Sequence, residues 1–263
     1  FQSPTSDFRE TSTEQNELAT GLLQTIKQPL KDPRELTTAF AALRSRSRVA
    51  PTDEAASRPN IARNRYQDIL PFNDTRVKLQ GEWSTDYINA SYVKDAVGSV
   101  RFIACQGPKP GTVPDFWHMV WQEQVQFIVM LTDCYEKGKE KCCMYWPETN
   151  SPAREVVQLH FTSWPDFNVP ASEAALLRLI SSVRARVGET ESLAPILVHC
   201  SAGVGRTGTF IALWNLQQQH QRGAPIDIDA TILKIREDRN LLVQSKEQYL
   251  FVRKCFSEYL RKN

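Results

Sequence analysis

One segment concentrates residues able to do chemistry: Val198-His199-Cys200-Ser201-Ala202-Gly203-Val204-Gly205-Arg206-Thr207-Gly208. Its three glycines let the backbone curl tightly, so that successive N–H groups converge on one centre. A loop of that kind running into a helix N-terminus is an anion site. The field that favours phosphate also favours a thiolate, so Cys200 at the mouth has the makings of a nucleophile. Arg206 is expected to close the loop and grip two oxygens bidentately, which a lysine does less well. The expected ligand is a phosphate group.

Blander readings fail on local detail. A second Cys-x5-Arg, Cys255 to Arg261, has no glycine and lies on an amphipathic pattern, so Cys255 is expected as packing and Arg261 as solvated. A nucleotide loop would need G-x-x-x-x-G-K-[ST], and here Arg206-Thr207 stands in place of Lys-[ST]. A Cys-His protease pair is not available locally, because His199 precedes Cys200 on a strand and faces the opposite side.

A strand must deliver this loop and a helix must receive it. Ile196, Leu197 and Val198 are consecutive apolar residues within Pro195–His199, the pattern of a strand buried on both faces. Further strands are expected at Val100–Cys105, Gln126–Leu131, Cys142–Trp146 and Val156–Thr162. Helical spacing appears from Thr207 to about His220, in Leu176/Ile180/Val183/Val187, in Ile228/Ile232/Ile235 and in Tyr249/Val252/Phe256/Tyr259. Ser245-x-x-Gln248 opens the last of these as a capping box. A short helix at 34–44 would put Leu36, Phe40 and Leu43 on one face, and Ser45–Asn60 has the composition of a linker or arm. The fold class is therefore α/β (α+β), a central twisted mixed sheet flanked by helices, with residues 1–60 an N-terminal extension and 61–263 a compact domain that carries the loop.

Composition narrows the class. The 263 residues carry 32 Lys and Arg against 30 Asp and Glu, a net +2, which argues against a nucleic-acid binder held by bulk charge. No apolar run approaches the roughly 20 residues that span a bilayer, and the first ten residues lack a signal-peptide pattern. Six cysteines without a C-x-x-C pair favour free thiols in a reducing, cytoplasmic setting over a disulfide framework or a zinc site.

The loop HCSAGVGRTG resembles the signature of the protein tyrosine phosphatases, and other blocks agree in order. Asn64-Arg65-Tyr66-Gln67-Asp68-Ile69-Leu70-Pro71-Phe72 and Asp86-Tyr87-Ile88-Asn89-Ala90-Ser91 resemble the phosphotyrosine loop and the strand after it. Phe102 to Pro108, Asp115-Phe116-Trp117, Lys141-Cys142 with Tyr145-Trp146-Pro147, and His160 to Asp166 follow. Arg236-x-x-Arg239, Val243-Gln244 and Gln248-Tyr249 fall where the glutamine loop belongs. The likeness covers about residues 60–260, and the Asn-Arg-Tyr block points to the phosphotyrosine-specific branch, with the signature somewhat nearer receptor-type members.

This resemblance implies roles. Cys200 would attack phosphorus, while Arg206 and the backbone of Ser201, Ala202, Gly203, Val204 and Gly205 would hold the phosphoryl oxygens. Asp166 would be general acid and then base, and Thr207 would hydrogen-bond the sulfur. Gln244 would place the water, with Gln248 assisting. Tyr66 would stack on the substrate ring, Asp68 would hold the peptide backbone, and Glu136 and Lys141 would steady Arg206 and the acid loop. No metal or other cofactor is implied. Partners would be phosphotyrosine proteins or peptides, with phosphate or vanadate as site anions; the alternative is a catalytically weak phosphotyrosine-binding module. Four departures stand out. Asn168 replaces the usual Gly, Trp214 the usual Asp and Ser245 the usual Thr, and the path from Pro147 to His160 is much shorter than the family's.

Overall fold

The computed structural model describes residues 33–81, 85–146, 154–165, 169–190 and 192–263. Among the described residues, eight strands form: β1 (Arg76–Lys78), β2 (Tyr87–Lys94), β3 (Val100–Cys105), β4 (Phe127–Met130), β5 (Tyr135–Glu136), β6 (Lys139–Glu140), β7 (Val157–His160) and β8 (Ile196–His199). Six of them make one mixed sheet in the order β1-β2-β3-β8-β4-β7, and β5 and β6 form a separate hairpin. The β1-β2-β3 part is antiparallel, whereas β3, β8, β4 and β7 run parallel. The apolar run 196–198 thus occupies an interior parallel strand, where both faces are covered.

The α-helices of the described residues flank the sheet: α1 (Pro33–Arg46), α2 (Asp53–Ala56), α3 (Val113–Gln122), α4 (Glu173–Gly188), α5 (Gly205–Gln221), α6 (Ile228–Arg236) and α7 (Lys246–Lys262). Alternate strand residues feed two cores. Phe102, Ala104, Val129, Ile196 and Val198 join the helices α4 to α7, while Ile103, Cys105, Ile128, Met130 and Leu197 pack on α3. This is the period-two consequence of the pleat. It also separates the neighbours His199 and Cys200. Cys200 belongs to the first core, whereas the His199 ring lies edge-on to Phe116 and Tyr145 on the second side.

Four of the five expected strands form, Val100–Cys105 with the expected bounds and the other three shorter than expected. Cys142–Trp146 does not. Its N–H groups bond loop carbonyls, Cys142 to Cys134 and Cys143 to Pro108, so no strand partners it. The apolar character there reflects single side chains instead: Cys142 and Tyr145 are buried, and the Tyr145 hydroxyl meets His199 Nε2 at 2.8 Å. Helix α3 was not foreseen in the sequence. The segment α1 places Leu43 in the main core, with Leu36 and Phe40 packed against it. The stretch after it lies against the body of the protein, with Ala55 fully buried and its carbonyl taken by Asn64 Nδ2 at 2.8 Å.

Trp214 is buried in the main core, edge-on to Phe102, with the Arg184 guanidinium 4.1 Å from its ring centre. Arg184 also donates to the Trp214 carbonyl at 2.7 Å. An aromatic and its stacked cation do here the packing that the departure at this position left open. Cys255 is fully buried and Arg261 exposed, as the second Cys-x5-Arg segment suggested.

Candidate active site

Strand β8 ends at His199, so Cys200 is the first residue of the curl and α5 begins five residues later at Gly205. Three glycines permit the curl, each against a different neighbour. Gly203 has φ +71°, and a Cβ there would overlap the Cys105 carbonyl. A Cβ on Gly205 would meet the Gln248 side-chain amide, and one on Gly208 would overlap the backbone at Leu242 and Val243. The left-handed region and the close approaches both demand glycine.

What turns the loop's N–H groups inward is Arg239, which is fully buried. Its Nε donates to the Gly203 carbonyl at 2.9 Å and its Nη2 to the Ala202 carbonyl at 3.1 Å. The same guanidinium is tied to Asn89 Oδ1 at 2.7 Å and Ser91 Oγ at 3.2 Å on β2. With the carbonyls held outward, the opposite faces of the peptides present their N–H groups to the centre. Burial pushes Arg239 below the ordinary arginine range, against the opposing pull of the Cys105, Tyr87 and Cys200 side chains. Its buried place in the turn after α6 is a tertiary fact; in the sequence it was only a landmark.

Cys200 is itself nearly buried, and its Sγ accepts hydrogen bonds from the Gly203 N–H and the Thr207 hydroxyl, both at 3.3 Å. Thr207 is fully buried behind the loop, on the first turn of α5. A cleft of about 280 Å³ opens above the sulfur, lined by Cys200, Ser201, Ala202, Gly205 and Arg206. Tyr66, Asp68, Glu136, Lys141, Gln244 and Gln248 also line it, so residues from four separate stretches meet there. Gly203 and Val204 act from behind: the Val204 carbonyl accepts from the N–H of Gly208 and of Val243.

The Tyr66 hydroxyl is 2.9 Å from Ser201 Oγ, which fixes the ring as a wall of the cleft. Its loop is held by Arg65, whose guanidinium donates to the Gly107 and Pro108 carbonyls and pairs with Glu140 at 3.1 Å. Gln248 forms the expected capping box with Ser245, and its Oε1 accepts from the N–H of Gln244 at 2.9 Å. That bond orients the loop carrying Gln244.

Arg206 is engaged differently from the expected two-oxygen grip. Nη1 donates to Glu136 Oε1 at 2.5 Å and to the Leu131 carbonyl at 3.1 Å. Nη2 donates to Glu136 Oε2 at 3.0 Å and to the Pro165 carbonyl at 3.2 Å. Both terminal nitrogens are thus committed to the protein, because a carboxylate on the β5–β6 hairpin matches the guanidinium fork as a phosphate would. Glu136 also accepts from the Thr132 hydroxyl at 2.9 Å. Burial alone would raise its carboxyl, but Arg206, Thr132 and Lys141 outweigh that and hold it below the ordinary range. His199 is lowered as well, but by a different cause: full burial pushes it down to about 4, so it is neutral in the fold. Asp166, with Asn168, lies outside the described residues; the chain is described up to Pro165, whose carbonyl faces Arg206.

Comparison with known proteins agrees with this architecture. The family model "Protein-tyrosine phosphatase" matches residues 60–155 and 148–258. The human phosphatidylinositol phosphatase PTPRQ is 39% identical over 236 residues, 76% of this chain and 10% of its own length. The chicken (Gallus gallus) receptor-type tyrosine-protein phosphatase eta is 37% identical over 256 residues, 84% of this chain and 18% of its own. The chain therefore spans well under a quarter of either relative. The crystal structure of the catalytic domain of human protein tyrosine phosphatase non-receptor type 18 superposes with a TM-score of 0.80 at 29% identity, covering 88% of this chain and 98% of that one. A family model matched across most of the chain, with relatives of this identity and coverage, establishes that the protein belongs to the protein-tyrosine phosphatase family.

Proposed function

We propose that the protein hydrolyses phosphotyrosine in proteins through a cysteinyl-phosphate. The observation that carries this is Cys200 Sγ, receiving two hydrogen bonds inside a glycine curl at the head of α5, in one cleft with Tyr66, Arg206 and Gln244. In the first step Sγ attacks phosphorus and the P–O bond to the tyrosine ring breaks. Its electron pair goes to the phenolate oxygen, which takes a proton from Asp166. A phenol leaves with a pKa of about 10, so that proton matters. Next a water oxygen, placed by Gln244 and Gln248, attacks phosphorus while the Asp166 carboxylate takes its proton. The P–S bond breaks and returns its electrons to sulfur, where the Thr207 hydroxyl stabilises the departing charge.

Arg206 enters the first step by exchanging bonds. A bound phosphoryl group competes for Nη2 with Glu136 and the Pro165 carbonyl, which links phosphate binding to the segment leading into Asp166. Lys141, across the cleft, adds positive charge at the same place. Tyr66 stacks on the ring, worth roughly 0.5–1.5 kcal/mol beyond area burial. Asp68 accepts from the peptide backbone. Ring length selects phosphotyrosine, since a shorter phosphoserine leaves phosphorus short of Sγ, and about 1 Å of misplacement costs around a hundredfold. The setting we assign is the cytoplasm, and residues 61–263 form the catalytic unit.

A second reading, a phosphoinositide substrate, is favoured by one relative's name, phosphatidylinositol phosphatase. The exposed Asp68 carboxylate on the cleft rim disfavours a polyanionic headgroup. The test compares kcat/KM for matched phosphotyrosine, phosphothreonine and phosphoserine peptides and a short-chain phosphoinositide. Acid quench with 32P-labelled substrate should place label on Cys200 and none in Cys200→Ser. Similar rates on all peptides, or unchanged turnover in Cys200→Ser, would refute the proposal; a preference for the phosphoinositide would establish the second reading. No turnover at all with retained peptide binding would identify a binding module.

A further inference from the structure

Two buried arginines three residues apart serve two different parts of the site. Arg239 holds the carbonyls of the phosphate loop. Arg236, at the end of α6 and only 1% exposed, serves a different stretch of backbone. Its Nε donates to the Leu242 carbonyl at 2.8 Å and its Nη2 to the Val243 carbonyl at 2.7 Å. The third arm, Nη1, donates to Ser47 Oγ at 2.9 Å, just past the end of α1, and the guanidinium stands 5.8 Å from the centre of the Phe40 ring on α1. All three hydrogen bonds go to neutral acceptors.

The backbone that Arg236 grips is strained. Leu241 has φ +62° and Val243 φ +60°, and a β-branched residue in the left-handed region is an outlier. Such conformations persist only where their surroundings over-determine them. Val243 is held from both sides, its N–H by the Val204 carbonyl of the phosphate loop at 3.1 Å and its carbonyl by Arg236. Gln244 is the next residue and lines the cleft. Freed of Arg236, residues 241–243 have every reason to relax towards ordinary dihedrals, and Gln244 would move with them.

We infer that Arg236 is a positioning residue for the second step, setting Gln244 against the cysteinyl-phosphate, and that Phe40 and Ser47 make α1 and the turn after it part of that support. This rests on the function proposed above and assigns a catalytic consequence to residues near the start of the described chain. The first step draws on Arg239 and Arg206, which α1 does not contact in this way, so attack by Cys200 is preserved when the support is weakened. Because the fork reaches three acceptors in three directions, a lysine cannot replace it.

The experiment uses the full chain, 32P-labelled phosphotyrosine peptide and rapid acid quench, reading phosphocysteine formation, its steady-state level and overall turnover. In Arg236→Lys, formation should stay within about twofold of wild type while turnover falls about a hundredfold, the scale for an ångström of misplacement. Phosphocysteine should accumulate. Ser47→Ala and Phe40→Leu, which leave Arg236 in place, should show the same split at several-fold size with melting temperatures close to wild type. A merely structural role predicts that formation and turnover fall together, with no accumulation, and that result overturns the inference. Full turnover in both Ser47→Ala and Phe40→Leu overturns the part assigned to α1, even if Arg236→Lys fails to fold. A wild-type protein that turns over substrate without label on Cys200 refutes the underlying reading instead, and this inference with it.

Discussion

Glu136→Gln tests the electrostatic heart of the site. The substitution keeps the side chain's shape and one acceptor oxygen but removes the charge that faces both terminal nitrogens of Arg206, in a pair only 4% and 12% exposed. It also turns one acceptor into an amide donor opposite an N–H. Breaking a buried pair outright costs about 3–5 kcal/mol. With one Arg206 bond and the Thr132 bond retained, we expect about 2 kcal/mol at pH 7. For a domain of this size that is a fall in Tm of roughly 4–8 °C. The pH dependence gives a sharper test. The folded Glu136 carboxyl lies below its ordinary value of 4.5. Its contribution is therefore complete above about pH 4.5 and lost as pH falls through the lowered value. His199 titrates in both proteins: buried neutral, with its value pushed from 6.5 to about 4, it withdraws stability as pH falls across that interval. Urea unfolding followed by tryptophan fluorescence from pH 7.5 to 3.5 should thus show two parallel curves down to about pH 4.5. Below that the gap between wild type and Glu136→Gln should close. A difference under about 0.5 kcal/mol at pH 7 would show that the ion pair does not repay its desolvation. A gap that stays constant below pH 4.5 would show that Glu136 is not the group responsible.

Two further outcomes are expected. Gly203→Ala drives a methyl group into the Cys105 carbonyl at a left-handed position, so kcat/KM on an aryl phosphate should fall at least about a hundredfold, the cost of ångström-scale displacement; near-normal kinetics would show the loop can be built without that curl. Asp227 caps α6 by accepting from the Ala230 N–H at 2.9 Å, and Asp227→Ala should cost about 1 kcal/mol in urea melts with kcat unchanged; a large kcat loss would mean that the start of α6 reaches the site.

The sequence alone determined the parts whose physics is local. A strand of consecutive Ile, Leu and Val, a glycine curl, a cysteine and a helix are written in one stretch from 196 to 221, and the structure places them in that order. The capping box at Ser245 and the amphipathic face of α1 are likewise short-range, three and four residues in period, and were legible for that reason. Cys142–Trp146 shows the limit. Apolar residues in a short run read as a strand, yet their backbone partners are loop carbonyls at 108 and 134, which no local pattern can name. The same holds for the site. Tyr66, Glu136 and Gln244 could be proposed for it by resemblance, but only the fold brings them to within one cleft of Cys200. What Arg206 holds was decided there too, since Glu136 and the Leu131 and Pro165 carbonyls arrive from three other segments and take the nitrogens that the sequence had reserved for phosphate. Arg236 and Arg239 are three letters apart and alike on paper. One serves the carbonyls at 202 and 203 and the other those at 242 and 243, because buried guanidinium groups must find acceptors wherever the packed chain has left them.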